Sequence, residues 1–277
     1  MNASVTPAQR RTPAKPGLRR VGCVSFLNAK PLIEGFDGDA ASVRYDVPSR
    51  LLEDLEHHRV DVALCPVIDY YRSRVPLAIL PAGAIGCNGP TLTVKLYSRV
   101  PVERITEVHA DTDSHTSVVL LQVLLAERTG RMPRITPLVP GTLPEAMLLI
   151  GDKVVTDAPG EREYTHQMDL GEAWREQTRL PFVFAVWMGR LGEPLDDLAA
   201  ALDATRRANF KRLDAIAARH APLHGWPVDL ARRYYTELLR YDFGPQQIEA
   251  VEAFARLAHR HGLIDSLQPL RLNTATR

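Results

Sequence analysis

Residues 20–32, Arg20-Val21-Gly22-Cys23-Val24-Ser25-Phe26-Leu27-Asn28-Ala29-Lys30-Pro31-Leu32, decide how this chain is read. Val21, Cys23 and Val24 form a short β-compatible run. Ser25 and Asn28 put small hydrogen-bonding side chains at its carboxyl end, and Pro31 keeps the strand from continuing in a ladder. Open α/β sheets bind ligands at the carboxyl ends of their strands, so a strand that stops in a polar turn is a ligand-facing edge. Asn28 closes a turn equally well, and the rest of the chain has to decide between the two roles.

Working outward, strand and helix signals alternate. Residues 49–58 (SRLLEDLEHH) carry Leu51, Leu52 and Leu55 on one face behind a capping Ser49. Residues 60–65 (VDVALC) read as a buried strand ended by Pro66, with a helical turn over 67–72. Residues 86–90 form a turn cluster, and 91–98 (TLTVKLYS) a half-buried strand in which Thr93 faces away from Leu92 and Val94. A second unit starts at 108–111 and passes through the polar 112–117 into a helix, 118–128, that is apolar nearly all round and ended by Gly130. Short strands are expected at 134–138 and 147–150, a capped helix at 169–178 and an aromatic-rich strand at 181–188. Three helices are expected over 195–220, 229–240 and 245–261.

This alternation predicts an α/β protein of two lobes with a ligand cleft between them and a helical C-terminal segment. Residues 19–98 with 188–277 form the expected lobe 1, which contains both termini; 99–187 form lobe 2, and the chain crosses near 98–101 and 182–188.

The composition excludes several classes. With 34 basic and 33 acidic residues the net charge is +1, and no basic stripe with interleaved aromatics points to nucleic acid. Cys23, Cys65 and Cys87 are far apart in apolar surroundings, which suits buried thiols in a reducing compartment rather than a disulfide framework. Neither a Cys-x-x-Cys pair nor a histidine ligand pattern supports a metal, and no glycine-rich phosphate loop is present, so no cofactor is expected. Residues 1–18 (MNASVTPAQRRTPAKPGL) contain no apolar core of signal-peptide length and read as a disordered tail. No window approaches the roughly 18 apolar residues of a membrane span. A cytoplasmic protein without nucleic-acid or membrane partners is expected, its state, monomer or homodimer, left open.

Six stretches in a fixed order carry a resemblance: VGCVSFLNAKPL (21–32), DVALCPVIDYY (61–71), CNGPTLTVKLYSRVP (87–101), DSHTSVVLLQVLLAE (113–127), LLIGD (148–152) and DLGEAWREQTRLPFVFAVW (169–187). With them the chain resembles the chorismate dehydratases of the futalosine route to menaquinone, and the last block is the most specific. The resemblance implies the type 2 periplasmic-binding-protein fold, chorismate as substrate, and loss of water to 3-[(1-carboxyvinyl)oxy]benzoate. The sister 1,4-dihydroxy-6-naphthoate synthases usually open with a Pro-Asn-Asp-type motif, and the opening Ser-Phe-Leu-Asn here favours the dehydratase. A non-catalytic small-anion receptor of the same fold is the other alternative; such receptors usually carry a leader or a lipid-anchor cysteine, absent from residues 1–18.

Chorismate is a dianion, so its site needs directed donors. Ser114, Thr116 and Ser117 stand at a helix start, where free N–H groups and the positive end of the dipole favour an anion; plain capping explains them too. His115, where relatives commonly carry Arg, lies among them. The resemblance places Asn28 in the pocket wall and Thr93 where relatives commonly have Ser, and these two are the expected catalytic residues. Ser25 and Asp152, both near strand ends, complete the expected substrate-binding set, although a carboxylate facing a dianion is repulsive unless it binds a hydroxyl. No His or Glu stands where it is clearly the base, and Asp69 and His115 read as structural or anion-orienting. The expected mechanism is therefore positioning and electrostatics, with the substrate's own carboxylate as base. Phe182, Phe184 and Trp187 read as core or hinge packing.

Overall fold

The computed structural model describes residues 18–36 and 41–273; the expected tail lies outside the described residues apart from Leu18. Among them the strands are, in chain order, β1 (Arg19–Val24), β2 (Ala41–Asp46), β3 (Val62–Pro66), β4 (Leu77–Cys87), β5 (Val94–Ser98), β6 (Glu107–Ala110), β7 (Arg134–Pro137), β8 (Ala146–Ile150), β9 (His166–Asp169), β10 (Phe182–Arg190) and β11 (Leu239–Arg240). They build a six-stranded sheet in the order β11-β4-β10-β3-β1-β2 and a five-stranded sheet in the order β7-β6-β8-β5-β9. In the first sheet β1 runs parallel to β2 and β3, and in the second β6 runs parallel to β7 and β8. Antiparallel pairs complete both sheets: β10 lies antiparallel between β3 and β4, β11 runs antiparallel to β4 at the edge, and β5 lies antiparallel between β8 and β9. Every residue of β3 (VALCP) and β8 (AMLLI) is buried, as central strands covered on both faces require.

The sheet pairing moves the crossing points. Val94–Ser98, expected in lobe 1, completes its ladders with β8 and β9 in the second sheet. Residues 182–187, expected in lobe 2, belong to β10 and pair with β3 and β4 in the first. The chain therefore crosses at 88–93 and returns at 170–181. Local alternation reports that a segment is a strand; which sheet receives it depends on partners distant in sequence.

One carboxylate fastens the two crossings together. Asp169 caps the helix Leu170–Thr178 by accepting from the N–H groups of Gly171 (2.9 Å) and Glu172 (3.1 Å). It also accepts from Leu92 (2.7 Å) and from Thr91 (3.0 Å to each oxygen) on the outgoing segment. The approach leaves no room for a side chain at residue 171, where a Cβ would lie 2.6 Å from Cys87 Sγ and from the Gly89 carbonyl oxygen.

β4 corrects the expected turn at 86–90, because it continues through Gly86 and Cys87. Its pattern is masked by Pro81, which cannot donate to a ladder. The strand accommodates it in a bulge: partners step from Leu80↔Trp187 to Ala84↔Val186, and Gly83 takes φ +107°. The helix Pro48–Glu56 begins before Ser49, with Val47 at its N-cap and Pro48 in the first turn. The segment expected as one helix over 195–220 forms two, Asp196–Phe210 and Leu213–His220. That expected over 229–240 becomes the helix Val228–Arg233, a π-helical turn Tyr234–Leu238 and β11, which pairs with Cys87 and Gly86 at the open edge of β4. The final helix, Pro245–Arg260, packs Phe254 edge-on against Trp174 and Phe182, and Trp174 Nε1 donates to the Pro181 carbonyl at 2.9 Å.

Asp61 links the entry to β3 with β1. It accepts from the Arg20 backbone N–H at 2.7 Å and pairs with the Arg20 guanidinium at 2.9 Å. Burial alone would raise its pKa, but these hydrogen bonds and the Arg20 and Arg19 charges outweigh it and hold the carboxyl below its ordinary 3.8. A folded-state pKa below the unfolded one contributes stability above the unfolded value, lost as the pH falls through the folded value. Asp61→Asn should thus cost about 1.5 kcal/mol at pH 7. Paired melts of variant and parent should converge as the pH drops below 3.8; a gap independent of pH would contradict this role.

Candidate active site

A pocket lies where the carboxyl ends of the parallel strands of the two sheets face each other. The first sheet contributes Val24, Leu64, Pro66, Ile85, Phe184, Ala185 and Leu239; Val94 and Ile150 come from the second, and Phe26 and Gly151 also line it. Its polar lining is Asn28, Thr91, Thr93, Ser114, Ser117 and Tyr234, and no charged side chain is among the lining residues.

Asn28 sits in the 3₁₀ turn Leu27–Ala29 that follows β1. Two phenols from the C-terminal segment hold this turn: Tyr235 Oη donates to the Leu27 carbonyl and Tyr241 Oη to the Asn28 carbonyl, each at 3.0 Å. With its backbone so fixed, Asn28 keeps a buried side-chain oxygen, Oδ1, without a partner among the described residues. A buried acceptor left open in this way costs stability unless something fills it, which marks a ligand position on a cavity-lining residue.

Thr93 lies just before β5, and its hydroxyl is 2.6 Å from Tyr234 Oη. Its carbonyl accepts from Gly151 N–H at 2.8 Å. The expected alternation fails here: Leu92 takes φ +67°, so the strand begins only at Val94, and Thr93 and Val94 both line the cavity. The local cause is Asp169, which draws in the N–H groups of Thr91 and Leu92 and turns the backbone. Burial pushes the Tyr234 phenol well above its ordinary value, with its hydrogen-bond contacts to the Thr93 and Asn28 side chains opposing the shift.

Ser114 is the N-cap of the helix His115–Thr129 and accepts from Ser117 N–H at 3.3 Å, the two hydroxyls standing 3.0 Å apart. Both line the cavity, so capping and pocket lining coexist in one residue.

Four expected binding residues stand outside the lining. Ser25 is exposed. Thr116 is buried and accepts from Ile68 N–H at 3.2 Å, which ties the helix start to the first half of the molecule. His115 Nδ1 lies 2.8 Å from Asp69 Oδ1, and Asp152 Oδ2 lies 2.7 Å from His224 Nδ1. The physical reason is shared: these last three satisfy their polar atoms across the gap between the halves rather than toward the cavity. Burial raises the Asp69 carboxyl, with His115 opposing it. Phe184, expected as packing, is in the wall, whereas Phe182 and Trp187 are core.

Sequence reasoning passed over Tyr234, Thr91 and Phe26. The available signal for Tyr234 was a Tyr-Tyr doublet inside the charged run Arg232 to Arg240, since two aromatics that are nearly fully buried there need internal partners. Phe26 packs against Gly151, whose φ is +68° and where a Cβ would stand 3.5 Å from the ring. Among the described residues no group of three or more His, Cys, Asp or Glu is placed to hold a metal ion, and no helix is long and apolar enough to cross a membrane.

Among solved structures, a protein of Archaeoglobus fulgidus superimposes with a TM-score of 0.70 at 16% identity, covering 91% of this chain and 100% of that one. The periplasmic aliphatic sulphonate binding protein of Escherichia coli gives 0.62 at 14% identity, covering 95% and 96%. These likenesses establish a periplasmic-binding-protein-like fold. In sequence, the chain is 28% identical over 257 residues to the chorismate dehydratase of Thermus thermophilus, covering 85% of this chain and 93% of that protein. The family model described as menaquinone biosynthesis matches residues 19–260, from the first strand to the end of the last helix. The chain belongs to that menaquinone-biosynthesis family.

Proposed function

We propose that this protein is a carbon–oxygen lyase that removes water from chorismate to give 3-[(1-carboxyvinyl)oxy]benzoate. The observation that carries the reading is the open Asn28 Oδ1 in an uncharged, largely apolar cavity that also holds the Thr93 hydroxyl. The Thermus relative supports the same substrate.

The elimination takes a proton from the ring carbon that bears the enolpyruvyl ether and hydroxide from the neighbouring carbon. The electron pair of the broken carbon–hydrogen bond becomes the new ring double bond, the carbon–oxygen pair departs on oxygen, and proton and hydroxide leave together as water. The ring becomes aromatic, which drives the reaction. Asn28 Oδ1 accepts from the ring hydroxyl, and Thr93 donates to the same oxygen as charge gathers on it. The Ser114 helix start receives a carboxylate through its hydroxyl and dipole. The lining residues include no carboxylate, His or Lys to serve as base. The enolpyruvyl carboxylate, held beside the carbon–hydrogen bond, takes the proton instead. A cytoplasmic setting suits three buried free thiols, of which Cys23 is pushed up to about 12 by burial.

Purified protein incubated with chorismate should release a product one water lighter, with the proton spectrum of a 1,3-substituted benzoate. Chorismate bound in calorimetry and recovered unchanged would make the protein a receptor and overturn the assignment.

A further inference from the structure

We infer that Tyr234 is a positioning residue that aims the Thr93 hydroxyl at the hydroxyl leaving the substrate; this rests on the lyase reading above. The two oxygens stand 2.6 Å apart in a buried contact, and either one is geometrically able to donate. Chemistry decides the direction. A phenol is a stronger acid, and so a better donor, than an alkyl alcohol. Burial keeps the Tyr234 phenol protonated beyond its usual range, so it always has a proton to give. With its oxygen accepting from Tyr234, Thr93 has its own proton left for the cavity.

The result is a matched pair. Asn28 offers an acceptor without a partner, and Thr93 offers a donor. A hydroxyl both donates and accepts, so an alcohol on the ligand satisfies both groups at once, whereas a carboxylate leaves Asn28 Oδ1 facing negative charge. Tyr234 thus determines which group of a dianionic polyoxygenated ligand enters this end of the cavity.

The surroundings make the phenol suited to the task. Tyr234 opens the π-helical turn Tyr234–Leu238, is 1% exposed, and lies between the rings of Trp226 (centroids 5.0 Å) and Tyr235 (6.1 Å). Its ring has no freedom to swing away. Tyr235 and Tyr241 fix the carbonyls of Leu27 and Asn28, so one short segment of the C-terminal region orients both faces of the polar end.

The test is steady-state kinetics on chorismate with Tyr234→Phe, which removes one oxygen and retains the ring packing. Its kcat should fall about thirtyfold with KM within about threefold of the parent, the pattern of an interaction made in the transition state. In a Thr93→Ser background, where the methyl group no longer holds χ1, the same change should cost at least about threefold more, because two positioning restraints are then lost together. Site-specific 3-fluorotyrosine at position 234 retains the hydroxyl and should keep kcat within about threefold, and it serves also if Tyr234→Phe fails to fold. An equal cost in both backgrounds, an effect confined to KM, or a loss in the fluorotyrosine protein as large as in Tyr234→Phe would overturn the inference. Failure of the parent to consume chorismate would instead overturn the lyase reading on its own.

Discussion

Asn28→Ala combined with Thr93→Val should lower kcat on chorismate by at least about a thousandfold, since a single preorganised donor in an enclosed site is worth about a hundredfold or more. The expectation comes from what surrounds the pair. Among the described residues no charged side chain lines the cavity, so the acceptor Oδ1 and the hydroxyl donor are the main means by which the protein recognises the leaving group. Binding should suffer less than turnover, because the apolar wall of Phe26, Ile85 and Phe184 and the Ser114 helix start remain. Rapid-quench turnover and calorimetric binding on the same preparations separate the two quantities. Substantial activity in the double variant would show that another group bears the chemistry.

Asp169→Ala should be the most damaging single substitution outside the core, at about 3 to 4 kcal/mol. Removing a helix N-cap costs about 1 kcal/mol, and leaving several part-buried N–H groups without an acceptor adds about 2 to 3 kcal/mol, the upper part of the range for a single group. Four N–H groups lose their acceptor together, those of Thr91, Leu92, Gly171 and Glu172. For a chain of this size the melting temperature should fall by about 6 to 12 °C. The same change loosens the turn that presents Thr93, so kcat should drop even at temperatures where the variant is folded. Asp169→Asn, which retains one acceptor oxygen, should recover part of both losses. A melting temperature within about 2 °C of the parent would show that the crossing segments hold together without this carboxylate.

What was legible in the sequence had local causes. Ser114 at a helix start with Gly130 in a left-handed cap, Asp169 before Leu170, and a strand over Val21 to Val24 that gives way to a turn holding Asn28 are each set by a few neighbouring residues, and the structure places them as read. The resemblance put Asn28 in a pocket wall and Thr93 at a position where relatives commonly have Ser; in the structure both side chains line the cavity. The misreadings share a different origin. Val94–Ser98 looks the same whether it pairs in one sheet or the other, because its partners Ala146–Ile150 lie some fifty residues away. Asp152 and His115, expected as binding groups, meet His224 and Asp69 from the other half, contacts that no local pattern announces. Tyr234 reads as one more helical aromatic until Thr93, 141 positions earlier in the chain, stands against it. Pro81 hid a strand because the bulge that shelters it is a property of the ladder and not of the segment.

Cys87 and Phe182 are direct register partners in the first sheet, so the chain leaves that sheet and re-enters it at the same point. Residues 88–181, with the whole second sheet, are topologically the loop of one enormous hairpin between β4 and β10. Closing a loop of that length costs only a few kcal/mol more than closing a short one, because the entropy grows with the logarithm of length. The two halves are therefore host and guest rather than equal siblings. The host completes its sheet from the segments that flank the guest, while the guest pairs its own first and last strands, Lys95 opposite Asp169, so each sheet closes on itself and the cavity lies at the boundary between them.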